Sequence, residues 1–436
     1  MAYAEKVYKV RAGKQTKQYT WRVKYKKPDG KWGSESGFPT KATAEAWGEE
    51  QETAIRAGRW IDPAKARKPF GVWAKEWMKA KTSRRGNTLD GWWLLLEHVI
   101  LPKWEHTPLM QLNWFDVEAW ATGLEVAESR VDHALTLMSS ILTGAVDSKH
   151  IAVNPLFGRR RGKSSSGSKG KRKTQQEEMW APPETVIQLA QRLGPAKGLF
   201  VLTTAFTGLR FAEGLGLHRE DVLRTRSQSF KGGVFTCPVI HVHQEYAEYT
   251  KRTEDGTKLG TVKVLEPPKN ETSIRSIDVP PFLARLLRHH LDDWPHELVF
   301  CQPNGNPWWT GNWSRQLRPA ADGRPKREKR QGVSERAAWA PIMPGLDMRA
   351  LRHTHDTYQD EIGVRPALAF EQAGHRRPGI KGVYQHPTPA MRQERLDGLE
   401  EIYWGAMRNL GLRTLWGRVD LLKISQTITS EVVEAA

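Results

Sequence analysis

The sequence predicts a multidomain protein, mainly helical with small β-sheets, on three observations. Its 436 residues correspond to two to four domains at about 100–200 residues each. The apolar periodicity changes from strand-like alternation near the N-terminus to helical spacing from Phe70 onward. A cationic, apolar-poor run from Arg159 to Lys173 then divides the chain into two halves.

The first 31 residues hold ten basic and two acidic residues. Tyr19 to Tyr25 alternates large apolar with polar side chains, and Lys27-Pro-Asp-Gly30 supplies turn chemistry before a second run from Trp32 to Phe38. Thr40 or Thr43 can cap a helix running through Ala57, with Gly58 as its stop. Residues 1–62 therefore read as a sheet-plus-helix module with a basic strand face, on which Lys24 and Lys26 are candidate nucleic-acid contacts.

Residues 68–158 read as a helical bundle. Phe70, Trp73, Ala74, Trp77 and Met78 recur at helical spacing, and further apolar-periodic stretches run over Thr88–Ile100, Asn113–Gly123 and Arg130–Lys149. Their aromatic stripes are expected to be core. Between Arg159 and Lys173, eight basic residues and no acidic ones occupy fifteen positions. Such a segment buries too little apolar surface to offset its ordering entropy, so 159–178 is expected to be a linker. Arg159, Arg160, Arg161, Lys163, Lys171, Arg172 and Lys173 are its candidate contacts to a phosphate backbone.

The second half, 179–406, opens on Pro182-Pro183-Glu184 at a helix start. That helix is expected to reach Arg192, and a buried one to follow over Leu199–Leu209. Short strands are expected at Val234–Cys237, Val239–Val242, Gly260–Leu265 and Arg275–Val279, before further helices. Residues 407–436 form a tail that passes from basic to acidic.

Composition narrows the function. With 67 Lys+Arg against 49 Asp+Glu, the net charge is +18, which favours a polyanionic partner. No apolar run is long enough for a membrane helix and no signal-peptide pattern is present, so a cytoplasmic protein with no membrane partner is expected. The two cysteines, Cys237 and Cys301, lack zinc-site spacing, and neither a metal nor a cofactor is expected. Gly158 to Ser164 imitates a P-loop but is one residue short between its glycines.

The remaining signal is a set of cationic and imidazole side chains. Arg210 lies three residues before Glu213, so that one helical turn can bring the carboxylate against the guanidinium. Arg349, Arg352, His353 and His355 follow in LDMRALRHTHDT, and His375 precedes Tyr384 by nine residues.

Taken in order, Gly208-Leu-Arg-Phe-Ala-Glu213, Leu351-Arg-His-Thr354, Gly374-His375 and Tyr384-Gln-His386 resemble the catalytic box of the tyrosine recombinases, the phage-integrase family. PKNETSIRSIDVP resembles the family's lysine-bearing β-hairpin, with Lys269 at the lysine position. The resemblance spans the second half, and the two N-terminal modules fit the family's arm-site and core-site DNA-binding domains in order.

That resemblance implies a mixed α+β catalytic domain and a metal- and ATP-independent recombinase. Its substrates would be double-stranded attachment sites of core and arm type. It would act as a homo-tetramer, with a directionality factor or DNA-bending protein as accessory. Arg210 and Arg352 would clamp the phosphate, Tyr384 would attack it, Lys269 would protonate the leaving oxygen and His375 would bond the phosphate, with Glu213 and His353 supporting. Arg349 departs from the pattern, because the family places His or Lys there and arginine is a poor base. A transposase with relaxed target choice and a decayed DNA-binding protein are the alternatives.

Overall fold

The computed structural model describes residues 2–11, 14–159, 161, 179–231, 233–332, 334–375 and 386–417. The chain divides into two compact units, Met1–Ser165 with Lys251–Gly260, and Ser166–Thr250 with Thr261–Ala436.

The first unit begins with an antiparallel sheet in the order β1 (Tyr3–Arg11), β2 (Lys14–Lys26), β3 (Trp32–Phe38). The turn forms as its residues require: Gly30 adopts a positive φ of 83° and the Lys31 N–H bonds the Asp29 carboxylate at 3.0 Å. Alternation on β2 buries Val23 and Tyr25 under α1 (Lys41–Arg56), where the Tyr25 and Trp47 rings meet edge to face at 5.5 Å. Thr40 is the cap, in a reciprocal box with Thr43.

After α2 (Pro63–Ala66), α3 (Phe70–Lys79) buries all five residues of the expected stripe. Helix α4 (Gly86–Leu95) does not run on to Ile100 as a regular helix. The ladder widens into a π turn over Leu96–Ile100 before α5 (Leu101–Trp104), ahead of Pro102, which has no N–H to give to the preceding turn. Helices α6 (Trp114–Thr122) and α7 (Glu128–Asp147) complete the bundle. Gly144 lets α7 approach α3 closely, since a Cβ there would lie 2.5 Å from the Trp77 ring.

In the second unit, α8 (Pro183–Leu193) leads into α9 (Pro195–Thr207), which has Lys197 as its one charged residue and is buried on every side from Gly198 to its end. Such a helix must be central. It is enclosed by α11 (Pro281–Asp293), α13 (Met348–Glu361) and α15 (Pro389–Asn409), with Phe206 against Phe282, Tyr358 and Tyr403.

The chain also forms a sheet in the order β4 (Val222–Phe230), β5 (Gly233–Val242), β8 (Arg275–Asp278), and a separate hairpin of β6 (Glu245–Arg252) and β7 (Lys258–Glu266) whose tip, Lys251–Gly260, belongs to the first unit. The two expected strands around Pro238 are one: Pro238 offers its carbonyl to the Val279 N–H and the ladder continues past it. Strands β4 and β6 were not expected, because VLRTRSQSF and EYAEYTKR carry few apolar residues. Pairing with β5 and β7 sets their conformation. Helices α10 (Phe211–Leu215), α12 (Thr310–Asp322) and α14 (Pro366–Ala373) complete the unit. Among the described residues, no helix is long and apolar enough to cross a membrane.

Candidate active site

The site is built where α9, α13 and α14 end or pass one another around the carboxylate of Glu213. Helix α9 stops at Gly208, whose left-handed φ of 68° suits glycine and whose missing Cβ would stand 2.7 Å from the His355 ring. The turn places Arg210 at the N-cap of α10 and Glu213 at its third position. There the carboxylate accepts the Arg210 backbone N–H at 2.9 Å and its Nη1 at 2.7 Å.

Glu213 is wholly buried, and a second guanidinium completes its neutralisation. Arg275 on β8 grips both carboxylate oxygens at 3.0 Å, and donates Nε to the Gln372 carbonyl at 2.7 Å and Nη1 to the Ser273 carbonyl at 2.9 Å. Burial raises the pKa of Glu213, but the hydrogen bonds and charges of Arg275 and then Arg210 outweigh it and hold the carboxyl below its ordinary range.

Arg352 on α13 reaches the same place from the other side. Its Nη1 donates to the Gly208 carbonyl at 2.5 Å, and its Nη2 to the Ala373 carbonyl at 3.0 Å, at the C-terminus of α14. Gly374 then turns the chain at φ 68°, and the His375 N–H closes the helix on the Phe370 carbonyl at 3.0 Å. This brings His375 Nε2 to 3.3 Å from Arg352 Nη2. An arginine only donates, so Nε2 accepts and the neutral ring carries its proton on Nδ1.

Burial, then the charges of Arg352 and Arg210, lower the pKa of His375. Burial, with Arg210 beside it, also brings Arg352 down to about 10, so that it stays charged at neutral pH. The arrangement offers two guanidiniums and an imidazole beside the buried carboxylate of Glu213 and the partly buried one of Asp356, which suits an anion with several oxygens.

The structure thus brings together Arg210, Glu213, Arg352 and His375. Arg349 and His353 lie along the same helix as Arg352, with Arg349 Nε donating to His353 Nε2 at 3.4 Å and His353 Nδ1 4.0 Å from Asp356. Lys269 stands exposed in the segment between β7 and β8, and none of the cluster's hydrogen bonds among the described residues reaches it. Lys263, a few residues upstream, is occupied: its ammonium is held by the Trp308 carbonyl and Glu248.

Tyr384 lies outside the described residues, as do Arg160, Lys163, Lys171, Arg172 and Lys173. The other tyrosines near the box are core. Tyr358 donates its hydroxyl to the Ala181 carbonyl at 2.9 Å, and Tyr403 stacks on Phe282 at 3.7 Å. Burial raises the pKa of both. Arg159 and Lys26 are exposed, Lys24 is bonded to Glu5, and Arg161 folds back on Glu128 and the Ala121 carbonyl.

Sequence reasoning missed two side chains here. Arg275 was visible in PKNETSIRSIDVP but without a partner, because Glu213 is 62 residues away. Asp356, whose pKa burial raises against the pull of Arg352, His353 and His375, was detectable as the residue four positions after Arg352 on the same helical face.

No family model matches the chain. It is 21% identical over 372 residues to the integrase of Mycobacterium phage D29, spanning 82% of this chain and 87% of that one. It is also 21% identical over 366 residues to the integrase of Mycobacterium phage FRAT1, spanning 80% and 96%. A solved structure of the Tn1549 transposon integrase in complex with a circular intermediate DNA shares the fold, with a TM-score of 0.50 at 15% identity over 76% of this chain and 99% of that one. The chain thus shares the fold of that integrase and is similar to phage integrases over four fifths of its length, with the two arginines and the histidine of the motif brought together in one cluster.

Proposed function

We propose that the chain is a site-specific DNA recombinase, an integrase that cleaves and rejoins strands through a 3′-phosphotyrosine intermediate to insert and excise a mobile element. The observation that carries this reading is the convergence of Arg210, Arg352 and His375 on a frame fixed by buried Glu213 and Arg275.

In this reading the guanidiniums of Arg210 and Arg352 bind the non-bridging oxygens of the scissile phosphate and stabilise the charge that grows on them. The Tyr384 oxygen attacks phosphorus as the bond to the 5′-oxygen breaks. The phenolic proton leaves to a base, and Lys269 gives a proton to the departing oxygen. The covalent bond to tyrosine conserves the phosphodiester's energy, so a second 5′-hydroxyl can reverse the step on another strand without ATP.

Arg349 serves as a fixed charge beside the phosphate. A neutral imidazole is the better acceptor for the tyrosine proton. His375 is one, because burial and Arg352 disfavour its charged form. Water, His353 on the same helix as Arg352, and His386 are the other candidate acceptors.

The three-stranded sheet reads arm-type sites, the α3–α7 bundle reads core-type sites, and a homo-tetramer holds two duplexes. Accessory bending or directionality proteins act on that assembly, in the cytoplasm or nucleoid. A suicide duplex nicked beside the core site tests the reading. The chain leaves an SDS-resistant protein–DNA adduct, and Tyr384→Phe binds the duplex without forming it. An adduct that persists in Tyr384→Phe refutes the nucleophile; no adduct from the unaltered chain refutes the enzyme and favours a DNA-binding protein alone.

A further inference from the structure

Between α12 and α13 the chain makes a further β-hairpin that the catalytic box does not use. Arg324 and Trp339 exchange both backbone hydrogen bonds at 2.9 and 2.8 Å, and Arg327 and Arg336 do the same at 2.8 and 2.9 Å. From Arg324 to Arg336 the sequence carries six basic and two acidic residues.

The guanidiniums are aimed by the backbone rather than neutralised by carboxylates. Arg324 Nε donates to the Ala337 carbonyl at 3.1 Å and Arg327 Nε to the Ser334 carbonyl at 3.2 Å, across the hairpin in each case. Both terminal forks are left for another acceptor. Arg324 also sits over the Trp339 ring, its guanidinium carbon 3.2 Å from the centroid, with that of Arg192 of α8 5.4 Å from the same centroid.

None of the ion pairs among the described residues includes Arg324, Arg327, Arg330 or Arg336, and the buried Nε of Arg336 has no partner. Glu328 is taken by Lys326 at 2.8 Å. Arg192, Arg327 and Arg336 stand close enough to oppose the charge on Arg324. A solvated charged loop would let such groups spread apart, whereas this hairpin holds them together with their forks open.

We infer that the hairpin Arg324–Trp339 is a duplex-DNA contact outside the catalytic centre, gripping the phosphate backbone through Arg324, Arg327 and Arg336. The inference rests on the recombinase reading only for the identity of the polyanion. Guanidinium forks match phosphodiester oxygens in pairs, and phosphate contacts carry no base sequence, so the surface adds affinity and orientation rather than site choice.

The test measures the salt dependence of binding to a random-sequence duplex, using the full chain. Each phosphate contact contributes a slope of about 0.9 in log affinity against log salt. Arg327→Gln/Arg336→Gln is expected to flatten that slope by about 2 and to weaken binding at low salt, while Arg327→Lys/Arg336→Lys keeps most of the slope. Lys326→Gln/Lys329→Gln/Arg330→Gln, confined to exposed positions, controls for folding and gives a smaller loss.

At saturating protein, the control Lys326→Gln/Lys329→Gln/Arg330→Gln forms the covalent adduct on the suicide duplex at the unaltered rate. An unchanged salt slope in the Arg327/Arg336 glutamine variant overturns the inference, and so does the same loss in the lysine variant, which would signal misfolding of the hairpin. Absence of an adduct with the unaltered chain would instead sink the recombinase reading and leave the hairpin result standing on the binding data.

Discussion

Replacing Glu213 tests the frame of the site most directly. Its carboxylate is wholly buried and accepts bonds from Arg210 and bidentate bonds from Arg275. Removing one member of such a buried pair leaves the other charges uncompensated, at a cost of about 3–5 kcal/mol. For a unit of this size each kcal/mol lowers Tm by about 2–4 °C, so Glu213→Ala is expected to lose about 6–20 °C.

Glu213→Gln keeps an acceptor for the Arg210 N–H but turns an amide N–H₂ toward an arginine. It should fold with reduced stability and cleave far more slowly than it binds. The sign with pH follows from the lowered pKa of Glu213. Its stabilisation is complete above the unfolded carboxyl pKa and is lost as pH falls through the folded value, so the variants should lack that part of the acid limb. Urea unfolding followed by tryptophan fluorescence, alongside adduct formation on the suicide duplex, gives both quantities. If Glu213→Gln matched the unaltered chain in unfolding midpoint and cleavage rate, the carboxylate would not be what holds the two arginines.

Gly208→Ala combines a left-handed φ with a Cβ 2.7 Å from His355. It should cost at least about 1–2 kcal/mol and, by moving the carbonyl that holds Arg352, slow cleavage more than binding. Tyr358→Phe removes only the bond to the Ala181 carbonyl, so an unfolding free energy lower by about 1 kcal/mol with an unchanged adduct rate is expected. His355 is buried and neutral, since burial and then Arg395 hold its pKa well below the usual value. The unfolded chain therefore takes up the proton first. Stability should fall as pH drops below about 6.5, by up to about 1.4 kcal/mol per pH unit, and His355→Gln should flatten that dependence in urea titrations at pH 7.5 and 5.5.

Much of the fold was legible because its signals are local. The stripe Phe70, Trp73, Ala74, Trp77, Met78 is buried as its spacing requires, and Thr40 opens α1 by cap chemistry, whereas the helix expected to run to Leu209 stops at Gly208 on a positive φ. What was not legible depends on distant partners. Strand β4 is a strand because β5 lies beside it, and the π turn at Leu96–Ile100 answers to a proline that the apolar pattern overrides. The motif order located Arg210, Arg352 and His375, but Arg275, which shares the Glu213 carboxylate with Arg210, had its partner in another motif. The basic hairpin was missed for the same reason, since the backbone pairing that aims Arg324 and Arg327 leaves no periodic trace in sequence.

The charge balance of the site carries one more consequence. Arg210 and Arg275 both bond the buried carboxylate of Glu213, whereas Arg352 bonds backbone carbonyls and His375 with only Asp356 as a further carboxylate nearby, and its pKa is lowered to about 10 by burial and by Arg210. The cluster is thus short of negative charge, and under the proposed function the scissile phosphodiester completes it. A core-site duplex with a neutral methylphosphonate at the scissile position should therefore bind more weakly than the ordinary duplex, although it differs at one linkage. The two should bind alike in Arg352→Ala, where the deficit is smaller and the fork is gone. Hydrogen bonds to charged groups contribute about 1.5–3 kcal/mol, so the expected difference in Kd is about 10- to 150-fold at low salt. Equal affinities for the two duplexes in the unaltered chain would mean that the guanidiniums meet the phosphate only in the transition state, and that the resting cluster is balanced by groups other than substrate.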